Sequence, residues 1–194
     1  MNVHYYIGLD LGQRHDPTAI AVVERATPVL RGFDPAAYFH LNTTEPEACF
    51  GVRHLERIPL GTSYPDVVRA VKDLTRRPEV RDRSTLVVDG TGVGRPVMDM
   101  LRMADLPCEL VEVSITAGAS AHLTRGCWYV PRPDLISSIQ VLVDNGRLGI
   151  ARDLRETESL IEELMGLRIE GGRDRGFTDM AMALGLSCWK ARRE

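Results

Sequence analysis

The stretch "YYIGLDLGQRHDPTAIAVVE", residues 5–24, constrains the fold more than any other part of the chain. Two apolar and β-branched runs, 5–10 and 18–24, flank a turn containing Gly12, Asp16 and Pro17, the pattern of an antiparallel hairpin. The first run ends on Asp10, a carboxylate in an apolar strand. Such a group is costly to bury unless it gains a partner or loses its charge. A hydrogen-bond donor, an arginine and a metal ion are all open as that partner, and the choice decides the chemistry.

The remaining pattern places this hairpin in an α/β chain. Strand-like runs return at 38–42 and 52–58, after a loop at 26–37 marked by Pro28, Gly32 and Pro35. Val67, Val68, Val71 and Leu74 fall at helical spacing behind Pro65, predicting a helix over 65–77. "STLVVD" reads as a buried strand ending on Asp89, followed by a glycine loop and a helix over 95–104. "CELVEVSIT" is a further strand, and 117–125 reads as a polar loop. Three helices follow, in "RPDLISSIQVLVDNG", "LRETESLIEELMGLRI" and "FTDMAMALGLSCWKARR". Strands first, then β-α-β units with helices on both faces, imply a three-layer sandwich around a mixed five-stranded central sheet. With 194 residues, no repeat and no linker, one domain over 1–194 is expected.

Charge and cysteine content narrow the function classes. The formal net charge is −3, so contact with a polyanion would need a local basic patch or metal ions. Cys49, Cys108, Cys127 and Cys188 form no CxxC pair, which argues against a zinc knuckle or a disulfide framework. No signal peptide and no run of membrane-spanning length is visible, so a soluble intracellular protein with no membrane partner is expected.

Three acids from distant segments are candidates for one site: Asp10 and Asp89 at the ends of strands, and Asp179 at the start of the last helix. If that helix crosses the ends of the two strands, the three converge. Carboxylates that close cannot all stay ionised without countercharge, and hard oxygen donors suit Mg²⁺ or Mn²⁺. Each acid also has an ordinary structural role open to it. Asp10 can cap a tight turn, Asp89 can cap the loop "GTGVG", and Asp179 can cap its helix or favour its dipole. Asp16, before Pro17, fits a turn, and His4, His15, His40, His54 and His122 lack paired ligand spacing. "GTGVGRP" lacks the Gly-Lys pair of a Walker P-loop.

"IGLDLGQRHDPTAIAVVE", "VVDGTGVGRPVMDMLR", "CWYVPRPDLISSIQVLVDNGRLGIA" and "FTDMAMALGLSCW", in that order over residues 5–190, resemble the nuclease domain of the phage large terminase subunit. The resemblance implies an RNase H-like α/β/α fold and cutting of double-stranded DNA during genome packaging. It implies two divalent ions, Mg²⁺ or Mn²⁺, held by Asp10, Asp89 and Asp179. Relatives usually carry lysine where Arg132 stands, so a cation there would approach a DNA phosphate; Arg14, Arg95 and Arg125 are further candidates. A separate packaging ATPase, a portal or a small terminase subunit would be partners, in the cytoplasm of a host cell if the chain is phage- or prophage-encoded.

Two departures from that pattern weaken the implied enzyme. Relatives open the last helix with His-Asp-Asp, whereas this chain has Phe177-Thr178-Asp179, so a carboxylate is lost and the second ion would need another ligand such as Asp174. The segment "EGGRDRG" is also shorter than the usual hairpin. A degenerate, non-cutting domain that binds DNA or a partner is therefore the rival reading. A second rival is an ATP-binding domain of the actin-like and sugar-kinase type, which also opens on a "GLDLG" hairpin but needs two such domains.

Overall fold

The computed structural model describes residues 2–12, 16–27, 47–91, 94–167 and 178–194. Its strands are β1 (Asn2–Asp10), β2 (Thr18–Thr27), β3 (Cys49–Ile58), β4 (Ser84–Asp89), β5 (Glu109–Thr116), β6 (His122–Thr124), β7 (Cys127–Pro131) and β8 (Leu148–Ile150). Its helices are α1 (Tyr64–Thr75), α2 (Gly94–Met103), α3 (Arg132–Asp144), α4 (Thr157–Gly166) and α5 (Asp179–Ala191).

The hairpin forms as its two apolar runs require, with β1 and β2 antiparallel from Asn2↔Thr27 to Asp10↔Ala19. All strands join one sheet in the order β6-β7-β5-β4-β1-β2-β3-β8. β1, β4, β5 and β7 run parallel to their neighbours in turn, so their C-terminal ends share one edge. Alternation along each strand then separates two cores. One face packs Ile7, Leu9, Ile20, Leu86 and Val88 against Val67, Val71, Val97 and Leu101 of α1 and α2. The other packs Tyr6, Ala19, Ala21 and Val52 against Ile139, Leu160, Met180, Ala183 and Leu184 of α3, α4 and α5. This is the expected α/β/α sandwich.

Among the described residues the sheet has eight strands where five were expected. The surplus is short and peripheral. β6 and β8 have three residues each, too few for an alternation to register, and they exist because β7 and β3 present paired edges to them. The expected polar loop over 117–125 therefore contains β6. Residues 26 and 27 of the expected loop over 26–37 belong to β2; its remainder, the expected strand over 38–42 and the shortened hairpin lie outside the described residues.

One glycine sets the position of α5. A Cβ on Gly8 would stand 1.9 Å from the Ala183 carbonyl oxygen and 2.7 Å from Ser187 Oγ, so only glycine lets the helix touch β1 there. Ser187 then donates to the Ala21 carbonyl at 3.0 Å, tying α5 to β2 as well. All four cysteines are unbridged, and burial pushes the Cys188 thiol up to about 12. Among the described residues no helix is long and apolar enough to cross a membrane.

Candidate metal and DNA site

The convergence of the three acids follows from strand register and from Gly8. Leu9 pairs with Val88, so the next residues, Asp10 and Asp89, end adjacent parallel strands side by side. Such strands are about 4.8 Å apart. α5 runs back along β1, with Ala183 over Gly8. Asp179 lies one helical turn before Ala183, about 6 Å along the helix. Asp10 lies two residues beyond Gly8, about 6.6 Å along the strand. The two displacements point the same way, and Asp179 arrives above the strand ends.

Asp179 is 5 % exposed, and its two oxygens are treated differently. Oδ2 accepts a hydrogen bond from Arg57 Nε at 2.9 Å, whereas Oδ1 is buried with no hydrogen-bond partner among the described residues. Arg57 reaches the acids because Asp10 pairs with Ala19 and Ala19 pairs with Arg57, so the three stand in one row on the α5 face. The same guanidinium donates to Glu163 Oε1 on α4. Glu163, 6 % exposed, accepts the Ala181 amide on Oε2 at 2.8 Å. Thr178 precedes α5 with no side-chain cap, so Glu163 caps that helix from a neighbouring one. Burial raises the Glu163 carboxyl above its ordinary value, and Asp179 adds to this against the Ala181 amide and Arg57.

Asp89 takes the structural role open to it. Its Oδ1 accepts the Thr91 amide at 2.9 Å and the Thr91 hydroxyl at 2.5 Å, closing the turn after β4, and Thr91 Oγ1 in turn accepts the Ile115 amide at 2.9 Å. Asp10 is the opposite case. Burial first, then Asp89, Asp179, Glu163 and Asp16, all push its carboxyl well above the usual range. Asp16 itself sits exposed in the turn, where its carbonyl approaches Gly12, as a turn former should.

Backbone convergence is thus realised, but the carboxylates do not form a closed cage. Among the described residues no three His, Cys, Asp or Glu side chains are arranged to hold an ion. Arg57 draws one oxygen of Asp179 aside and Thr91 draws one of Asp89. The donor set still suits a hard divalent ion: only carboxylate oxygens, an unpartnered buried Oδ1, and mutual repulsion at Asp10 that a cation would relieve.

The candidate DNA cations divide. Arg95 and Arg125, both exposed, line one cleft of about 600 Å³ with Gly90, Ser114 and Tyr129, directly beyond Asp89. Arg125 and Gly126 form the two-residue turn between β6 and β7, both at positive φ, 51° and 82°. Arg132 opens α3 at the end of β7, on the edge that carries the acids. Arg14, like Asp174, His15 and His40, lies outside the described residues. His4 bonds Thr85 at 3.0 Å, His54 meets Glu56 at 3.1 Å and His122 stacks on Tyr129, so none of these three joins the acids.

Sequence reasoning missed Arg57 and Glu163. Glu163 had a readable signal: it follows Leu160 by three residues and precedes Leu164, placing a charge on the apolar face of its helix. Arg57 had none, because its role depends on the register with Ala19.

No protein-family model matches the sequence. No curated protein matches it either. Solved structures do match in fold. The large terminase nuclease of thermophilic phage G20c is similar at a TM-score of 0.59 and 20 % identity, over 96 % of this chain and 81 % of that one. The same nuclease with bound zinc matches at a TM-score of 0.55 over 96 % and 80 %. The human cytomegalovirus terminase nuclease domain matches at 0.51 and 13 % identity, over 98 % of this chain and 82 % of that one. At such identities the likeness is one of fold, and the chain has the RNase H-like fold of terminase nuclease domains.

Proposed function

We propose that the chain is a divalent-metal-dependent DNA endonuclease of the terminase type, cutting double-stranded DNA during genome packaging. What supports this reading is the place of Asp10 and Asp89 at the ends of adjacent parallel strands, with a buried carboxylate oxygen of Asp179 left without a hydrogen-bond partner among the described residues. Asp10 and Asp89 would share an ion and Asp179 would complete its ligands. Bound there, Mg²⁺ or Mn²⁺ supplies an activated water and charge stabilisation for phosphodiester hydrolysis.

The chain's own residues would do the rest. Asp10, whose carboxyl is pushed up by burial and by neighbouring acids, would be relieved by a cation at this edge. Asp89 must release Thr91 to turn toward the ion. Arg95 and Arg125 would hold phosphates of a strand leaving past Gly90. Placing an arginine at positive φ, where Gly or Asn costs less, favours a working role for Arg125. Arg132 would contact the backbone from the other side of the strand ends, and Arg14 is a further candidate from the sequence. Contacts of this kind position DNA without reading its sequence, so binding should be weak, unspecific and lost with salt. A packaging ATPase, a portal or a small terminase subunit would be its partners.

Supercoiled plasmid incubated with Mn²⁺ tests the proposal. Wild type should nick it, and Asp10→Asn or Asp89→Asn should reduce nicking by roughly 100-fold or more. Nicking that survives both substitutions removes these acids from the chemistry. The rival reading, a domain that binds but no longer cuts, is favoured by the Asp89–Thr91 bonds and by Thr178 in place of a carboxylate. It predicts salt-sensitive DNA retention with no nicking by wild type. An ATP-binding role would instead require calorimetric binding of Mg-ATP.

A further inference from the structure

Among the described residues, Arg57 pairs with two of the acids near the strand ends, and its placement bears on how many ions the site can take. It spans two buried carboxylates from different helices, Asp179 of α5 and Glu163 of α4. Glu163 is fixed from its other oxygen by the Ala181 amide, so the guanidinium is held between anchored partners. A bidentate arginine of this kind is always charged and geometrically fixed. It neutralises Asp179 on the Oδ2 side and leaves Oδ1 alone unpartnered.

Resting on the metal-dependent reading above, we propose that Arg57 permanently fills the charge position of a second divalent ion, so that this chain takes one ion, through Asp10, Asp89 and Oδ1 of Asp179. Among the described residues, a second ion would need Oδ2 of Asp179 or an oxygen of Glu163, and Arg57 holds Oδ2 and Oε1 while the Ala181 amide holds Oε2. It would also have to approach a fixed positive charge. The loss of a carboxylate at Thr178 is consistent with this, since a site whose second cation belongs to the protein needs fewer acids.

The test is a count of bound Mn²⁺ on the full chain, by electron paramagnetic resonance of the free ion during titration. Wild type should bind one ion per chain, and Asp10→Asn should lose it. The double variant Arg57→Met with Glu163→Gln keeps the local charge balance while freeing Oδ2, and it should bind two. Two ions in wild type overturn the inference yet leave the nuclease reading standing, and this count needs no variant to fold. A single ion in a natively folded double variant, judged by circular dichroism, overturns it as well. No Mn²⁺ on wild type sinks the metal-dependent reading itself.

Discussion

The two ends of β1 handle charge in opposite ways. At the N-terminal end, Tyr6 donates to Glu194 at 2.6 Å, and Lys190 Nζ stands 2.5 Å from the other oxygen of that carboxylate and 3.9 Å from Glu109. Thr85 donates to Glu109 at 3.0 Å and meets His4 at 3.0 Å. At the C-terminal end the charges that act most on Asp10 are Asp89, Asp179, Glu163 and Asp16, all acids. The consequence is visible in two carboxyls on either side of one strand. Burial acts to raise Glu194, but hydrogen bonds from Lys190 and Tyr6 outweigh it and leave the group below its ordinary value. Burial raises Asp10 and its neighbours raise it further. A fold able to satisfy its carboxylates at one end leaves them crowded at the other, the kind of perturbation that clusters at functional sites.

Gly8 lies between the two ends, and changing it should disturb both. An added Cβ in Gly8→Ala meets the Ala183 carbonyl at 1.9 Å, and that atom belongs to a helix backbone that cannot yield alone. α5 would have to lift, at a cost of about 3 kcal/mol or more. Urea unfolding measures this directly. A Gly8→Ala protein within 1 kcal/mol of wild type would mean that α5 is not seated on β1 as described, and the comparison of ends would lose its frame.

The crowded end should gain stability from losing its charge. In metal-free buffer at neutral pH, Asp10→Asn is expected to stabilise the fold by about 1 kcal/mol while removing nicking, the usual trade at a functional site. The pH dependence fixes the sign. Asp10 is raised above its ordinary 3.8, so the folded protein holds this proton more tightly than the unfolded chain does. Its contribution to stability is complete below 3.8 and is lost as pH rises through the raised value. The gap between Asp10→Asn and wild type should therefore shrink as pH falls from 7 toward 4. A destabilised Asp10→Asn would mean that the carboxylate is already satisfied without metal.

What the sequence disclosed and what it hid divide along the same line. The hairpin, the strand ending on Asp89 and the last helix were legible because long apolar runs at period two or 3.6 announce themselves. The three acids were legible as interruptions of those runs. Arg57 was hidden because "VRHLERI" also carries Arg53 and Glu56, so its charges read as an exposed strand face. The irregularity between Val22 and Val23 resets the pairing of β2 with β3, and only the resulting register brings Arg57 opposite Ala19 and into line with Asp10. Arg125 reads as part of a loop in the sequence because the hairpin it tips is built of strands too short, and in β6 too exposed, to alternate. Local pattern revealed the elements; the ion pairs that organise the site depend on long-range register.

The satisfied end offers the smallest effect and the opposite sign. Lys190→Met removes the cation beside Glu194 and should cost about 0.5 kcal/mol at neutral pH, since that carboxylate is partly open to solvent and the pair is screened. Glu194 is held below its ordinary 4.5, so the stability it contributes is present above that value and is lost as pH falls through the lowered one. Wild type and Lys190→Met should therefore converge in acid, because protonated Glu194 no longer needs the lysine. Asp10→Asn also converges with wild type in acid, but from above, while Lys190→Met does so from below. Thermal melts of the three proteins across pH, without metal, would separate the two ends. Should both variants approach wild type from the same side, the contrast between a compensated and an uncompensated end of β1 would be wrong.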